Sequence, residues 1–155
     1  MTRKHAIAAL AFSFVFAGAM SGADAFTGSW ELNIGKSKPE PGFTHKRVTL
    51  TIEQTGPETS RWFFDQVTMD GKKRPVEVLY TFDGKEHEVQ INGSSSSVTA
   101  KILDASTRSV LSKRNGQIVH ESVWKLSPDG KALTVTATHR PEGKPAYETV
   151  FVYEK

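Results

Sequence analysis

The sequence predicts an all-β domain, a single antiparallel up-and-down barrel of about 8 to 10 strands, and three observations predict it. Turn-forming pairs recur at a nearly regular interval, at Asp70-Gly71, Asp83-Gly84, Asn92-Gly93, Asn115-Gly116, Asp129-Gly130 and Glu142-Gly143. Asn-Gly and Asp-Gly suit hairpins because both residues accept positive φ at little cost. The stretches between these pairs alternate apolar and polar residues with the period of two that a half-buried strand requires. No segment beyond residue 25 sustains a 3.6-residue period. At most a short turn is expected over 35–42, where Pro39 and Pro41 interrupt anything longer.

Taken in order, the first strand spans 28–34 and carries Trp30. In 45–55, Val48, Leu50 and Ile52 share a face against Thr49, Thr51 and Glu53. Trp62, Phe63 and Phe64 stand together in 59–69, so rings occupy both faces: one lines the interior and the other meets solvent or a partner. Val76, Val78, Tyr80 and Phe82 oppose Glu77 and Thr81 in 75–82, and a short strand follows over 86–91. Ser94 to Ser97 reads as a mobile loop ahead of the strand 96–103, where Val98, Ala100 and Ile102 face away from Thr99 and Lys101. Asp104-Ala105-Ser106 supplies a turn without glycine before 107–113. In 117–126, Ile118, His120, Ser122, Trp124 and Leu126 share a face opposite Val119, Glu121, Val123 and Lys125. Leu133, Val135 and Ala137 do the same in 131–139, and the last strand covers 146–154. A sheet of so many sequential strands exposes two edges unless it closes on itself, hence the barrel. A β-sandwich is the alternative, but it needs longer crossovers than these hairpin-length links. A barrel of this size holds its own side chains and at most a small ligand.

The N-terminus sets the compartment. Arg3, Lys4 and His5 precede an apolar run from Ala6 to Met20 and a small-x-small site at Ala23-Asp24-Ala25, the pattern of a signal peptide. Residues 1–25 are read as the leader, with cleavage after Ala25, and 26–155 as one domain in the periplasm or outside the cell. A membrane anchor is the competing reading, but the run falls short of the roughly 20 apolar residues a span needs. The chain has no cysteine, which excludes a lipid-anchored lipoprotein, a disulfide and thiolate chemistry. Removing the leader leaves a net charge of +2, too balanced for a nucleic-acid surface; the basic pairs Lys46-Arg47 and Lys113-Arg114 flank turns, where they guard strand ends. A monomer is expected.

Catalytic and metal vocabulary is sparse. His45, His87, His120 and His139 fall on four separate strands without the spacing that brings two ligands to one metal. Gly-x-Ser-x-Gly, Ser-x-x-Lys and recognisably spaced carboxylate pairs are absent, and every glycine is accounted for by a turn, so no enzyme, cofactor or metal is expected. His120 stands apart because it shares its face with Trp124 and Leu126: it either is exposed on a strand of mixed faces or points into the barrel as a polar group lining a cavity.

Ala25-Phe26-Thr27-Gly28-Ser29-Trp30-Glu31-Leu32 at the start and Val152-Tyr153-Glu154-Lys155 at the end resemble the calycin superfamily of lipocalins and fatty-acid-binding proteins. The whole chain is similar to small secreted bacterial lipocalin-like domains with Gly-x-Trp-x-Leu-Asn, Lys-Ser-Lys and repeated Asp-Gly-Lys. The resemblance implies a lipocalin-like barrel with Gly28 and Trp30 as structural residues at its closed bottom and Tyr153 as a candidate ligand contact. Two departures accompany it. The stretch 35–42 is too short and proline-rich for the helix-turn-helix lid of fatty-acid-binding proteins, and Phe151-Val152-Tyr153 stands where they carry Arg-x-Tyr. The leading expectation is a non-enzymatic barrel binding a small apolar or amphipathic molecule, with His120, Trp124, Tyr80 and Tyr153 as candidate ligand-binding residues. An envelope interaction module with a filled barrel is the first alternative. A barrel isomerase or cyclase is the second, and a polar group beside His120 would favour it.

Overall fold

A computed structural model of the chain describes residues 24 to 155, so the expected leader lies outside the described residues except for Asp24 and Ala25. Ten strands follow one another: β1 (Gly28–Leu32), β2 (His45–Gln54), β3 (Thr59–Thr68), β4 (Val76–Thr81), β5 (Asp83–Ile91), β6 (Ser94–Asp104), β7 (Thr107–Arg114), β8 (Gln117–Leu126), β9 (Ala132–His139) and β10 (Tyr147–Glu154). Every pairing is antiparallel, and the order around the sheet is β4-β3-β2-β1-β10-β9-β8-β7-β6-β5. The β1–β10 pairing brings the first strand onto the last and curls the sheet into a nearly closed barrel. Among the described residues no hydrogen-bonded ladder joins β4 to β5, which leaves a seam between them.

The turn chemistry is as the sequence predicts at the two Asn-Gly pairs. Asn92 and Asn115 have φ of 51° and 50°, followed by Gly93 and Gly116 at 76° and 75°, the doubly positive backbone of a hairpin that matches strand twist. Three details differ. Asp83-Gly84 is no free turn: β5 begins at Asp83, and Gly84 sits in a bulge where the register with β6 slips between Asp83 and Glu86. Ser94 to Ser97 belong to β6, with Ser96 buried, so a serine run that composition reads as a loop is paired backbone. Ile118 leaves the face of His120, because Ser112 pairs with His120 while Lys113 pairs with Ile118, and the extra residue Val119 turns Ile118 outward to 37% exposure.

The core is the inward face of every wall. Trp30, Leu50, Ile52, Trp62 and Leu133 are essentially inaccessible. At the lower end, where β1 begins and β8 ends, the Trp30 indole N–H donates to the Phe26 carbonyl at 2.9 Å and the Lys155 ammonium lies 4.3 Å from its ring centre. The link from β1 to β2 holds one 3₁₀ turn, Ile34–Lys36, capped by the Asn33 side chain, and runs along β10 through a Lys38–Val150 bridge.

Candidate functional site

The inner faces of β3 and β8 carry a repeated pattern. On β3, Ser60 and Trp62 point inward, and the indole N–H donates to the Ser60 hydroxyl at 2.7 Å; on β8, Trp124 donates to Ser122 at 2.9 Å. Each buried indole thereby finds an acceptor two residues back on its own strand, as alternation of faces requires. β3 and β8 lie on opposite walls, and their two indoles meet edge to face with centroids 4.5 Å apart. Tyr80 packs edge-on against Trp62 at 5.2 Å, and Phe64 reaches Trp124 at 6.4 Å. A continuous layer of rings crosses the lumen here. Phe63, the third ring of the run, is turned outward.

Above this layer, towards the hairpins that join β7 to β8 and β9 to β10, the inward positions become polar. His120 stands one inward position beyond Ser122 and pairs in register with His139, and their Nδ1 atoms are 3.4 Å apart. His139 Nε2 is in hydrogen-bond contact with the Thr149 hydroxyl at 3.1 Å, and Thr149 is wholly buried. Tyr147 stacks on the His139 ring with centroids 4.8 Å apart. Ser112, buried, lies opposite His120 on β7. Burial, more than the neighbouring His139, pushes the His120 imidazole down to about 4, against an upward pull from Glu121. Burial also lowers His139, opposed by Glu40. Both rings are therefore neutral at pH 7, able to donate from one nitrogen and accept at the other.

Two hollows flank this region. One of about 730 Å³ lies at the rim between the two hairpins, with His139, Tyr147, Arg114, Gln117 and Pro141 in its wall, and with Arg140 held to Glu121 across its side. The other, about 630 Å³, lies on the outside of β6 to β9 against Leu111, Ile118 and Val123. Among the described residues no group of three or more His, Asp or Glu is placed to hold a metal.

Of the residues singled out from sequence, His120 and Trp124 share the inner face of β8, and Tyr80 joins Trp124 through Trp62. Tyr153 does not join them: it is buried at the lower end beside Leu133, where desolvation pushes its hydroxyl well above its ordinary value. Tyr80 is likewise raised, to about 12, by burial alone. Gly28, with φ of 130°, and the fully buried Trp30 lie at the lower end. Sequence reasoning missed His139 and Thr149, although His139 continues the inward series of Leu133, Val135 and Ala137.

Solved structures share this fold. The fatty acid binding protein of Schistosoma mansoni, in complex with arachidonic acid, superposes with a TM-score of 0.63 at 16% identity, over 89% of this chain and 98% of that one. Zebrafish ileal bile acid-binding protein complexed with cholic acid gives 0.56 at 15% identity, over 84% and 98%. The fluorescent protein UnaG gives 0.60 at 16%, over 84% and 96%. No protein-family model matches the chain, and no curated protein matches it in sequence. The barrel is thus calycin-like, and at such identities the likeness is one of fold.

Proposed function

We propose that the protein is an exported, non-enzymatic barrel that takes a small amphipathic molecule into its upper half, with the apolar part over the Trp62–Trp124 layer and a polar group against His120 and His139. One observation carries this reading: neutral hydrogen-bonding groups, the half-buried His120 and His139 and the buried Thr149, cluster on the inner wall beside a rim hollow that His139 lines. Pockets for such molecules combine apolar walls with a few placed polar groups. Two of the fold's neighbours were solved with arachidonic acid and cholic acid, which fits an amphipathic ligand. Export rests on the leader pattern at 1–25, and a periplasmic or extracellular location is its consequence.

Two other readings each have an observation in their favour. The ring contact across the lumen suits a barrel filled by its own side chains that serves as an envelope interaction module. His139 beside His120 is the second polar group that an isomerase or cyclase would use. A base at about 4 is weak near neutrality, so the histidine pair serves binding better than proton abstraction. Titration with an environment-sensitive apolar dye decides among them. His120→Leu and Trp124→Ala are each expected to weaken dye affinity about 3- to 10-fold, and Lys85→Ala to leave it unchanged. Equal binding by all four proteins, or none by the wild type, gives the filled barrel.

A further inference from the structure

Arg108 is a charged residue inside the barrel. It follows the inward series of Val110 and Ser112 on β7, and its side chain is 7% exposed. Its guanidinium lies over the Phe26 ring at 4.4 Å, with Phe82 at 5.8 Å. One nitrogen, Nη1, donates to the carbonyls of Asp104 and Thr107 at 2.9 and 3.3 Å. The other, Nη2, donates to Asp24 Oδ1 at 3.1 Å, and among the described residues Asp24 is the one carboxylate within ion-pair distance. The carboxylate is seated by its own backbone. Phe26 N–H donates to the same Oδ1 at 3.1 Å, and Thr27 N–H donates to the Asp24 carbonyl at 2.8 Å, closing a turn over 24–27.

An arginine cannot escape a dry site by losing its proton, so the carboxylate is what neutralises it there. The last two small-x-small triplets of the leader, Ser21-Gly22-Ala23 and Ala23-Asp24-Ala25, each offer a cleavage site. Cleavage after Ala25 removes the carboxylate and places a new ammonium on Phe26. That nitrogen and Arg108 Nη2 both touch the same oxygen, so they lie at most twice 3.1 Å apart, and two like charges would then face each other at the lower end of the barrel. Cleavage after Ala23 leaves the pair intact.

We infer that the leader is removed between Ala23 and Asp24, so that the mature protein begins with the carboxylate that neutralises Arg108. In this step a leader peptidase adds water across the Ala23–Asp24 amide: the C–N bond breaks, Ala23 departs as a carboxylate, and the Asp24 nitrogen becomes an α-ammonium. The inference rests on the export reading, and its test separates the two. The full chain is expressed in a bacterium with a general secretory pathway, and the N-terminus of each fraction is read by intact mass and peptide mapping. Exported protein beginning at Asp24 is expected. Exported protein beginning at Phe26 overturns the inference and leaves export standing, whereas Met1 retained in the cell fraction overturns both. Folding gives a second measure. Chains beginning at Asp24 and at Phe26 are unfolded in urea, which leaves ion pairs unscreened; the longer chain should have the higher midpoint, by about 1 M. Asp24→Asn in the longer chain should lose most of that difference, and Arg108→Met in both should abolish it. Equal midpoints for the two unsubstituted chains overturn the inference.

Discussion

The two ends of the barrel are made of the same strands but solve different problems. At the lower end the largest polar groups are well partnered, although the Thr27 hydroxyl is buried there without a partner: the Trp30 indole bonds to Phe26, and Arg108 is held by two carbonyls, a carboxylate and a ring. At the upper end, His120 and His139 share a single long contact, and both imidazoles are held below their ordinary range by burial. A group desolvated without full compensation weakens the fold, and natural proteins concentrate such groups where they bind or react. The lower end thus secures the fold, and the upper end is where the proposed ligand would sit.

That contrast breaks if the lower end proves dispensable. Trp30→Ala should cost about 3 to 5 kcal/mol, read from chemical denaturation, because a fully buried indole is replaced by a void; an unchanged midpoint would show that this end is not the foundation. The next largest effect is one of pH. His120 is lowered from 6.5 to about 4 in the folded chain, so below 6.5 the unfolded chain binds the proton that the native one refuses. Stability should therefore fall as pH drops from about 6.5 to about 4, by about 3 kcal/mol at most, and then level off for this group. His139 titrates in the same direction, while Glu121 opposes the shift of His120. His120→Leu should flatten this part of the profile, and an unaltered slope would remove His120 as its source.

Smaller effects sharpen the picture of the layer between the ends. Ser60→Ala and Ser122→Ala each strand a buried indole N–H and should each cost about 1 to 3 kcal/mol by thermal or chemical unfolding. A clear inequality between them would show that one wall can admit water to its tryptophan. Thr149→Val deprives His139 of its hydroxyl partner and should cost about 1 kcal/mol. If the upper end binds as proposed, it should also alter dye affinity, whereas Trp30→Ala should leave the affinity of the folded fraction untouched.

Much of this was legible in the sequence because a period of two and a glycine-bearing turn are local signals. The inward series Val48-Leu50-Ile52 and Leu133-Val135-Ala137, and the hairpins at Asn92-Gly93 and Asn115-Gly116, needed no distant information. The bulge at Val119 was invisible because no glycine marks it, and a single unpaired residue sends Ile118 to the opposite face. His139 reads as a strand-end residue until its register partner His120 is known. The Asp24–Arg108 pair joins positions 84 residues apart, and no pattern within either segment announces the other. Tyr153 lies apart from the other three candidates, beside Leu133, and the resemblance supplied a position in the family and not a height in this barrel.

The seam between β4 and β5 has a consequence for how the chain could be rewired. Read from β5 around to β4, the sheet order is β5 through β10 and then β1 through β4, unbroken. The one sheet neighbour pair not joined by an adjacent connection is β1 with β10, and there the Lys155 ammonium already lies 3.4 Å from the Thr27 carbonyl. A circular permutant that joins the ends across this gap and opens at the seam would convert every pairing into a hairpin between successive strands. Its contact order would drop to that of a pure meander, and its folding should be correspondingly faster.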